Sequence, residues 1–380
     1  MARIWNKHKQ FHPVRYSEQS NGAGTPLKRK VFVAMSGGVD SSVAALLLKN
    51  QGYDVTGVFM KNWADPAWPC PWQEDREDAI RVCLKLDAPF EVFDFTNEYK
   101  TKVVDYMLHE YASGRTPNPD VMCNKEIKFG LFLDKAMAMG ADYIATGHYV
   151  RKIKSQKSNL KNYVLAKARD LNKDQSYFLW TLKQKQLAKC LFPIGEIESK
   201  AEVRRIALAS GLPTAQKKDS QGICFMGPVD VGEFIKPYVN NVSGDIVTAS
   251  GQKIGRHAGL DFFTIGQRKG IGVGGTGPYY VAKKDYKTNV LVVASKGEEF
   301  ALESKSAIVC QTSFIGDEPR EKAEIQAAIR YRQEPVPTVL SKVNNDKWRV
   351  DFEKSVRAVA PGQSAVFYRG EELLGGGIID

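Results

Sequence analysis

The feature that most constrains the fold is a turn. Ser36-Gly37-Gly38-Val39-Asp40-Ser41-Ser42 joins an apolar run at 31–35 (VFVAM) to a helix-forming run at 41–50 (SSVAALLLKN), which Gly52 closes. An apolar run of that length, without polar alternation, suits a strand covered on both faces. A strand that passes through two glycines straight into a helix opens a βαβ unit, and the pattern repeats. Strand-like runs at 54–60, 90–95 and 142–146 alternate with helix-like runs at 74–87, 99–111 and 125–139. Strands separated by helices of that length predict an α/β, doubly wound parallel sheet.

The turn also carries chemistry. It exposes unpaired backbone N–H groups at the positive end of a helix dipole, which suits an anion. Gly37 and Gly38 let phosphate oxygens approach without a Cβ clash. Ser36, Ser41 and Ser42 add hydroxyl donors. Asp40 is odd for simple anion binding and reasonable if Mg²⁺ bridges it to phosphate. No G-K-[ST] follows, so this is not a Walker A loop. The string resembles the PP-loop of ATP pyrophosphatases, which cleave ATP between the α- and β-phosphates and adenylate a substrate oxygen. The resemblance implies AMP-forming chemistry but not the substrate. A second glycine run, 270–275 (GIGVGG), fits G-x-G-x-x-G in letters only. Thr276-Gly277-Pro278 after it forbids the helix a dinucleotide fingerprint needs, so it reads as a basic loop.

Beyond residue 183 the texture changes. The run 200–210 is helical, and from Gly232 short β-like runs follow at 245–248, 279–281, 290–293, 307–310, 338–343, 348–351 and 364–368. They predict two small β-rich modules, the last a β-barrel. The expected organisation is a disordered basic tail at 1–28, a catalytic domain with a helical extension at 29–231, a central β-rich domain at 232–298 and a C-terminal barrel at 303–380. The tail could instead be an organelle transit peptide, but it has little Ser and no clear amphipathic period. No apolar run approaches the roughly 20 residues that span a bilayer. A cytoplasmic, monomeric chain without a membrane partner is expected. The formal net charge is +11, with seven Lys or Arg and one Glu in the first 30 residues, a balance that favours polyanionic partners.

Six cysteines, Cys70, Cys83, Cys123, Cys190, Cys224 and Cys310, are too few for a secreted disulfide scaffold and show no C-x-x-C or zinc spacing. Cys83, Cys190 and Cys310 read as small buried hydrophobes, while Cys70 lies in a Trp-Pro-Cys-Pro-Trp loop and is undecided. Cys123 ends the loop RTPNPDVMC, at the start of the 125–139 helix and beside Lys125 and Lys128. A helix N-terminus and nearby cations stabilise a thiolate. Asp120 in the same loop is a candidate acid or base. Cys224 sits in a second loop, DSQGICF, after Lys217-Lys218. On local chemistry alone, reactive and buried readings of these two thiols are evenly weighted.

RTPNPDVMCNKEIKF, ATGHYV, NKDQSYFL, KDSQGICF, FTIGQRKGIGVGG and PGQSAVFY together resemble, in order, segments of the bacterial and mitochondrial tRNA-specific 2-thiouridylases, the MnmA/TrmU family. The resemblance runs from about Lys30 onward. It implies adenylation of the C2 oxygen of the wobble uridine of tRNA, followed by displacement of AMP by persulfide sulfur. It makes Cys224 the persulfide carrier, Cys123 the partner thiol that releases sulfur through a transient disulfide, and Asp120 the acid or base. Asn118, Pro119 and Asp120 then flank a flipped base. ATP falls to Ala34, Met35, Ser36, Gly37, Gly38, Val39, Asp40 and Ser41, with Met60 on the adenine side and Gly147 in the ATGHY turn. The tRNA falls to His148, Lys173, Asp174, Gln175, Arg330, Tyr331 and Gln363. ATP with Mg²⁺ and a persulfide donor, either a sulfur-carrier protein or a cysteine desulfurase, are the implied co-reactants. An iron–sulfur cluster on Cys123 and Cys224 is the less favoured route, since two thiolates fall short of the usual four ligands. The rivals are another AMP-forming PP-loop synthetase and a non-catalytic RNA-binding protein.

Overall fold

Alternating apolar strands and helices build a parallel sheet in the N-terminal half of the chain. The computed structural model describes residues 28–65, 68, 72–155, 163–219, 230–274, 277–344 and 346–380. The readings made for the basic tail up to residue 27, for Cys70 and for Cys224 lie outside these residues. The first seven strands are β1 (Lys30–Ala34), β2 (Asp54–Lys61), β3 (Phe90–Asp94), β4 (Tyr143–Ala145), β5 (Val150–Lys154), β6 (Tyr163–Lys167) and β7 (Cys190–Leu191). Five of them form one sheet in the order β3-β2-β1-β4-β7, with every pairing parallel. The order reverses between β1 and β4, and ligands of such sheets bind outside the carboxyl ends of the strands at that reversal.

Side chains of β1 alternate between two cores. Val31 and Val33 pack under the helix α1 (Val39–Asn50), with Val43 and Leu48. Phe32 and Ala34 face a larger cluster with Phe93, Tyr99, Phe129 and Phe132. Both faces are covered, as the unbroken apolar run required. The helix α2 (Trp72–Lys85) follows β2.

Two expected helices start earlier than read. The second-face helix begins at Thr96 and runs through a π-helical stretch, Lys100–Val104, into Asp105–Ala112. The next begins at Pro119, four residues before Cys123, and continues through the π-helical stretch Cys123–Leu131 into Phe132–Ala138. Proline is tolerated at a first helical position because its missing N–H has no partner there anyway, and Asn118 caps it by accepting from Val121 N at 3.3 Å.

The C-terminal half separates into two β modules. In the central one, β8 (Gly244–Thr248), β9 (Lys253–His257), β10 (Tyr280–Asp285) and β11 (Val290–Ala294) order as β10-β11-β8-β9 over Ile246, Val281, Leu291 and Val293. The run at 270–274 forms no helix, as its sequence required. The last module holds β12 (Glu303–Phe314), β13 (Lys322–Ala328), β14 (Val336–Lys342), β15 (Lys347–Arg357), β16 (Ser364–Arg369) and β17 (Glu372–Ile379). Pairing of β12 with β17 closes these six strands into a barrel around Trp348, Val350 and Phe367. The hairpin β5–β6, unforeseen in the sequence, leaves the catalytic domain and adds to β17 through Leu165 and Ala166. Tyr177 OH donates to Ser364 O at 2.9 Å and Trp180 Nε1 to Ser364 Oγ at 3.0 Å, so the barrel is hydrogen-bonded to the domain it covers.

Candidate active site

The nucleotide loop is held from behind. Gly37 has φ +71°, and a Cβ there would lie 2.2 Å from the carbonyl oxygen of Asp75 in α2, so glycine is required twice over. A Cβ on Gly147, just beyond β4, would sit 2.7 Å from Ser41 N, which presses that turn against the start of α1. The three serines do not act alike. Ser41 and Ser42 are buried, and both donate to the Gly38 carbonyl, at 3.1 and 2.8 Å. Thr214 Oγ1 donates to Ser42 Oγ at 2.8 Å. Ser36 alone of the three is exposed, beside the half-exposed Gly38 at the N-terminus of α1. Ala34, Met35 and Val39 are buried backbone carriers of this loop, and Met60 is buried near the end of β2. Ser41 and Ser42 thus brace Gly38 through the first helical turn, while Ser36 presents the exposed hydroxyl of the loop.

Asp40 is part of an ion-pair network that sequence reasoning missed. Lys200 Nζ lies 2.7 Å from both Asp40 carboxylate oxygens, and Tyr149 OH donates to Asp40 Oδ1 at 2.7 Å. Burial, then the Asp40 charge, push the Tyr149 phenol well up, so it stays a donor. Lys200 also lies 3.0 Å from Asp219, which in turn takes Lys173 at 2.8 Å and Arg204 at 2.7 Å. Burial acts to raise the Asp219 carboxyl, but its bonds from Lys173 and Lys200 outweigh burial and hold it at about 2. On the other side of the loop, Lys217 bridges Asp75 at 2.7 Å and Asp78 at 2.5 Å. The only signal for this network in the sequence was the Lys217-Lys218 pair and the tyrosine of ATGHYV.

A Mg²⁺ bridge through Asp40 would require Lys200 to leave the carboxylate. Both carboxylate oxygens are engaged by Lys200, and Tyr149 takes one of them again. Among the described residues no group of three or more His, Cys, Asp or Glu gathers to hold a metal. No step is therefore routed through a protein-held magnesium ion.

Cys123 is fully buried, and Asp120 one turn before it is half-buried. The helix-terminus argument for Cys123 is corrected: the helix starts at Pro119, so Cys123 lies past the first turn. Lys125 pairs with Glu126 at 3.3 Å, where the sequence suggested a cation for the thiol. Cys83 and Cys190 are buried as expected, while Cys310 is half-buried on β12 with its thiol 3.5 Å from Ile378 O.

The loop before Asn118 is held by the other two modules. Gln363 Nε2 donates to Thr116 O at 2.9 Å and to Pro117 O at 3.0 Å. Thr116 N donates to Pro361 O at 2.9 Å, and Thr116 Oγ1 meets Thr264 Oγ1 at 3.1 Å. Arg330 donates to the carbonyls of Ile265 and Ala358, clasping the central module to the barrel. Arg330, Tyr331 and Arg332 lie in a turn after β13, not on a strand, and Arg332 takes φ +64°. Tyr331 packs on Phe178 with ring centroids 4.5 Å apart and the ring planes tilted by 49°. His148 is buried between Phe129 and Phe192, its Nδ1 2.7 Å from Thr146 Oγ1. Burial, then Lys128, lower the His148 pKa well below its ordinary value, so the ring is neutral. Gln175 and Tyr149 exchange two bonds, at 2.9 and 3.0 Å. Asp174 caps the turn by accepting from Ser176 Oγ at 2.6 Å and Ala168 N at 2.9 Å, while Lys173 is committed to Asp219.

A parallel sheet with an anion loop at its switch point, followed by two small β modules, defines a nucleotide-dependent α/β enzyme with appended β modules. Family models give that class its content. Residues 29–228 match the tRNA methyl transferase HUP domain, 232–295 the tRNA methyl transferase PRC-barrel domain and 304–379 the aminomethyltransferase beta-barrel domain. Curated relatives include the tRNA-specific 2-thiouridylase MnmA of Staphylococcus aureus, 49% identical over 92% of this chain and 95% of its own length. The MnmA of Geobacillus thermodenitrificans is 49% identical over 93% and 95%, and MnmA 2 of Geobacillus kaustophilus 50% identical over the same shares. The chain belongs to the tRNA-specific 2-thiouridylase family.

Proposed function

We propose that this chain is an ATP-dependent tRNA sulfurtransferase that makes 2-thiouridine at the wobble position. The observation that carries the reading is the presence, in one family domain, of an anion loop built on Gly37 and Gly38 and of the Pro119 helix that bears Asp120 and Cys123. The uridine C2 oxygen attacks the α-phosphate of ATP and releases pyrophosphate. The terminal sulfur of a Cys224 persulfide then attacks C2 and AMP departs. The Cys123 thiolate attacks the Cys224 sulfur, so that 2-thiouridine leaves and a Cys123–Cys224 disulfide forms, which an external thiol reduces before the next turnover. Asp120 moves the proton in the loop that receives the base. A sulfur-carrier protein or a cysteine desulfurase supplies the persulfide, and the chemistry needs no cluster. Among the described residues no helix is long and apolar enough to cross a membrane.

Asn118, by capping the Pro119 helix, and Gln363, by holding the carbonyls before it, support placement of the base. The wording of the matched family models names methyl transfer, whereas the relatives' names specify thiolation. The group transferred is therefore what the assay must read. Purified chain is incubated with tRNA, ATP, a persulfide donor and the methyl donor S-adenosylmethionine, and nucleosides are analysed by mass spectrometry. Cys224→Ser is expected to abolish 2-thiouridine while tRNA binding stays within about twofold, since exchanging a thiol for a hydroxyl changes no charge that phosphates would meet. Wild-type thiolation by Cys224→Ser removes the persulfide assignment, and transfer of a methyl group removes the whole reading.

A further inference from the structure

Asp40 stands out as a carboxylate inside a loop shaped for anions. Its geometry points to a second function for the residue opposite it. We propose that Lys200 is a phosphate-binding residue of this site, whose ammonium passes from Asp40 to the β- and γ-phosphate oxygens when ATP enters and stays with the pyrophosphate as it leaves. The inference deepens the AMP-forming reading and rests on it.

Placement supports it first. Lys200 Nζ is 2.7 Å from both oxygens of Asp40, and Asp40 lies in the first turn of α1, beside the half-exposed Gly38 and exposed Ser36 that face incoming phosphate. An ammonium on a four-carbon stem covers that distance by side-chain rotation alone. The backbone under it is fixed. Lys200 opens the helix Lys200–Ala209, its N–H donates to Asp170 Oδ2 at 2.8 Å, and Ser199 caps the helix by accepting from Glu202 N.

Charge supports it second. Lys173, Lys200 and Arg204 converge on Asp40 and Asp219, with Asp170 on the Lys200 backbone N–H, so the cations here are matched by carboxylates. A triphosphate competes with those carboxylates for the cation best able to move. Departure of Lys200 leaves neither acid unpaired. Tyr149 OH remains on Asp40 at 2.7 Å, and Lys173 and Arg204 remain on Asp219. Without those stand-ins the swap would strand a half-buried carboxylate, which is costly. The arrangement also gives Asp40 a role of its own: the carboxylate parks the lysine until phosphate competes for it.

The test measures equilibrium binding of an ATP analogue with a non-hydrolysable α–β bond, and separately of inorganic pyrophosphate, to the full chain without tRNA. Lys200→Met is expected to weaken both by about 10- to 100-fold, the loss of one charge-assisted bond to phosphate. Lys200→Arg should keep most of the affinity, and tRNA binding should stay within about twofold in every variant, as no phosphate of the RNA is held by this residue. The double variant Asp40→Asn/Lys200→Met separates a phosphate contact from a structural ion pair. As weak as Lys200→Met, it supports the proposal; restored to wild-type affinity, it makes Lys200 merely the partner of Asp40 and overturns it. Unchanged analogue binding by Lys200→Met overturns it as well. Should Lys200→Met fail to fold, the comparison is made between Asp40→Asn and the double variant, where no unpaired carboxylate remains. Wild-type chain that binds the analogue but forms no AMP with tRNA would sink the thiolation reading and leave the Lys200 result to stand by itself.

Discussion

Two loops of the α/β domain are braced in opposite ways. The nucleotide loop is held by its own domain: Asp75 of α2 behind Gly37, Gly147 against Ser41, Thr214 on Ser42 and Lys200 on Asp40. The loop before Asn118 is held from outside, by Pro361 and Gln363 of the barrel and Thr264 of the central module. The difference assigns labour. On the mechanism proposed above, nucleotide chemistry is built into the α/β core, presentation of the substrate base depends on how two β modules seat against it, and those modules act on catalysis as well as on RNA contact.

The comparison breaks first at the nucleotide loop. Gly37→Val forces a side chain into a backbone at φ +71° with Asp75 O 2.2 Å from its Cβ. The strain alone costs about 1–3 kcal/mol, and AMP formation should fall by about 100-fold or more as the loop shifts off its geometry. Binding of tRNA, measured by filter retention, should be nearly unchanged. Gly362→Val is the counterpart in the barrel. Its Cβ would lie 2.7 Å from Thr116 O at φ +88°. Thiolation should drop by about tenfold with a misplaced substrate loop, while affinity for the ATP analogue stays at the wild-type value. Equal loss of both in either variant would erase the division of labour.

Gln363→Leu sharpens the same contrast at smaller scale. It removes two hydrogen bonds to the carbonyls of Thr116 and Pro117. A cost of about 1–2 kcal/mol is expected, read as a fall in kcat/KM for tRNA with ATP affinity untouched. The smallest effect concerns pH. Burial and Lys128 keep His148 neutral when folded, whereas the unfolded ring takes a proton near its ordinary value of 6.5. Below that pH the unfolded chain binds more protons, so stability falls as pH falls and is flat above it. His148→Gln should flatten the dependence of the unfolding midpoint between pH 5 and 7, measured by thermal denaturation.

The nucleotide loop was legible because its chemistry is local. Two glycines, a strand before and a helix after are all in one short string, and the sheet followed from alternation of periods. The Asp40–Lys200–Asp219 network was not legible, because its members lie far apart in sequence and meet only through the crossover of the sheet. Lys200 reads in isolation as a helix-opening lysine. The start of the Cys123 helix was misplaced because Pro119 was taken as a loop residue, although proline with asparagine before it is also a helix opening. The β5–β6 hairpin escaped for a third reason: its strand partner, β17, is two hundred residues away and in another module. The buried state of His148 was left open by its motif, since a turn histidine can face either way.

The central claim is that AMP release and sulfur insertion are one coupled reaction of this chain. Its most direct test counts AMP and 2-thiouridine in the same reaction, with wild-type chain, tRNA, ATP and a persulfide donor under anaerobic conditions. One AMP per 2-thiouridine, with both absent when tRNA is withheld, is the predicted result. Thiouridine without AMP, or AMP formed with tRNA but no thiolated nucleoside at any donor concentration, would contradict it.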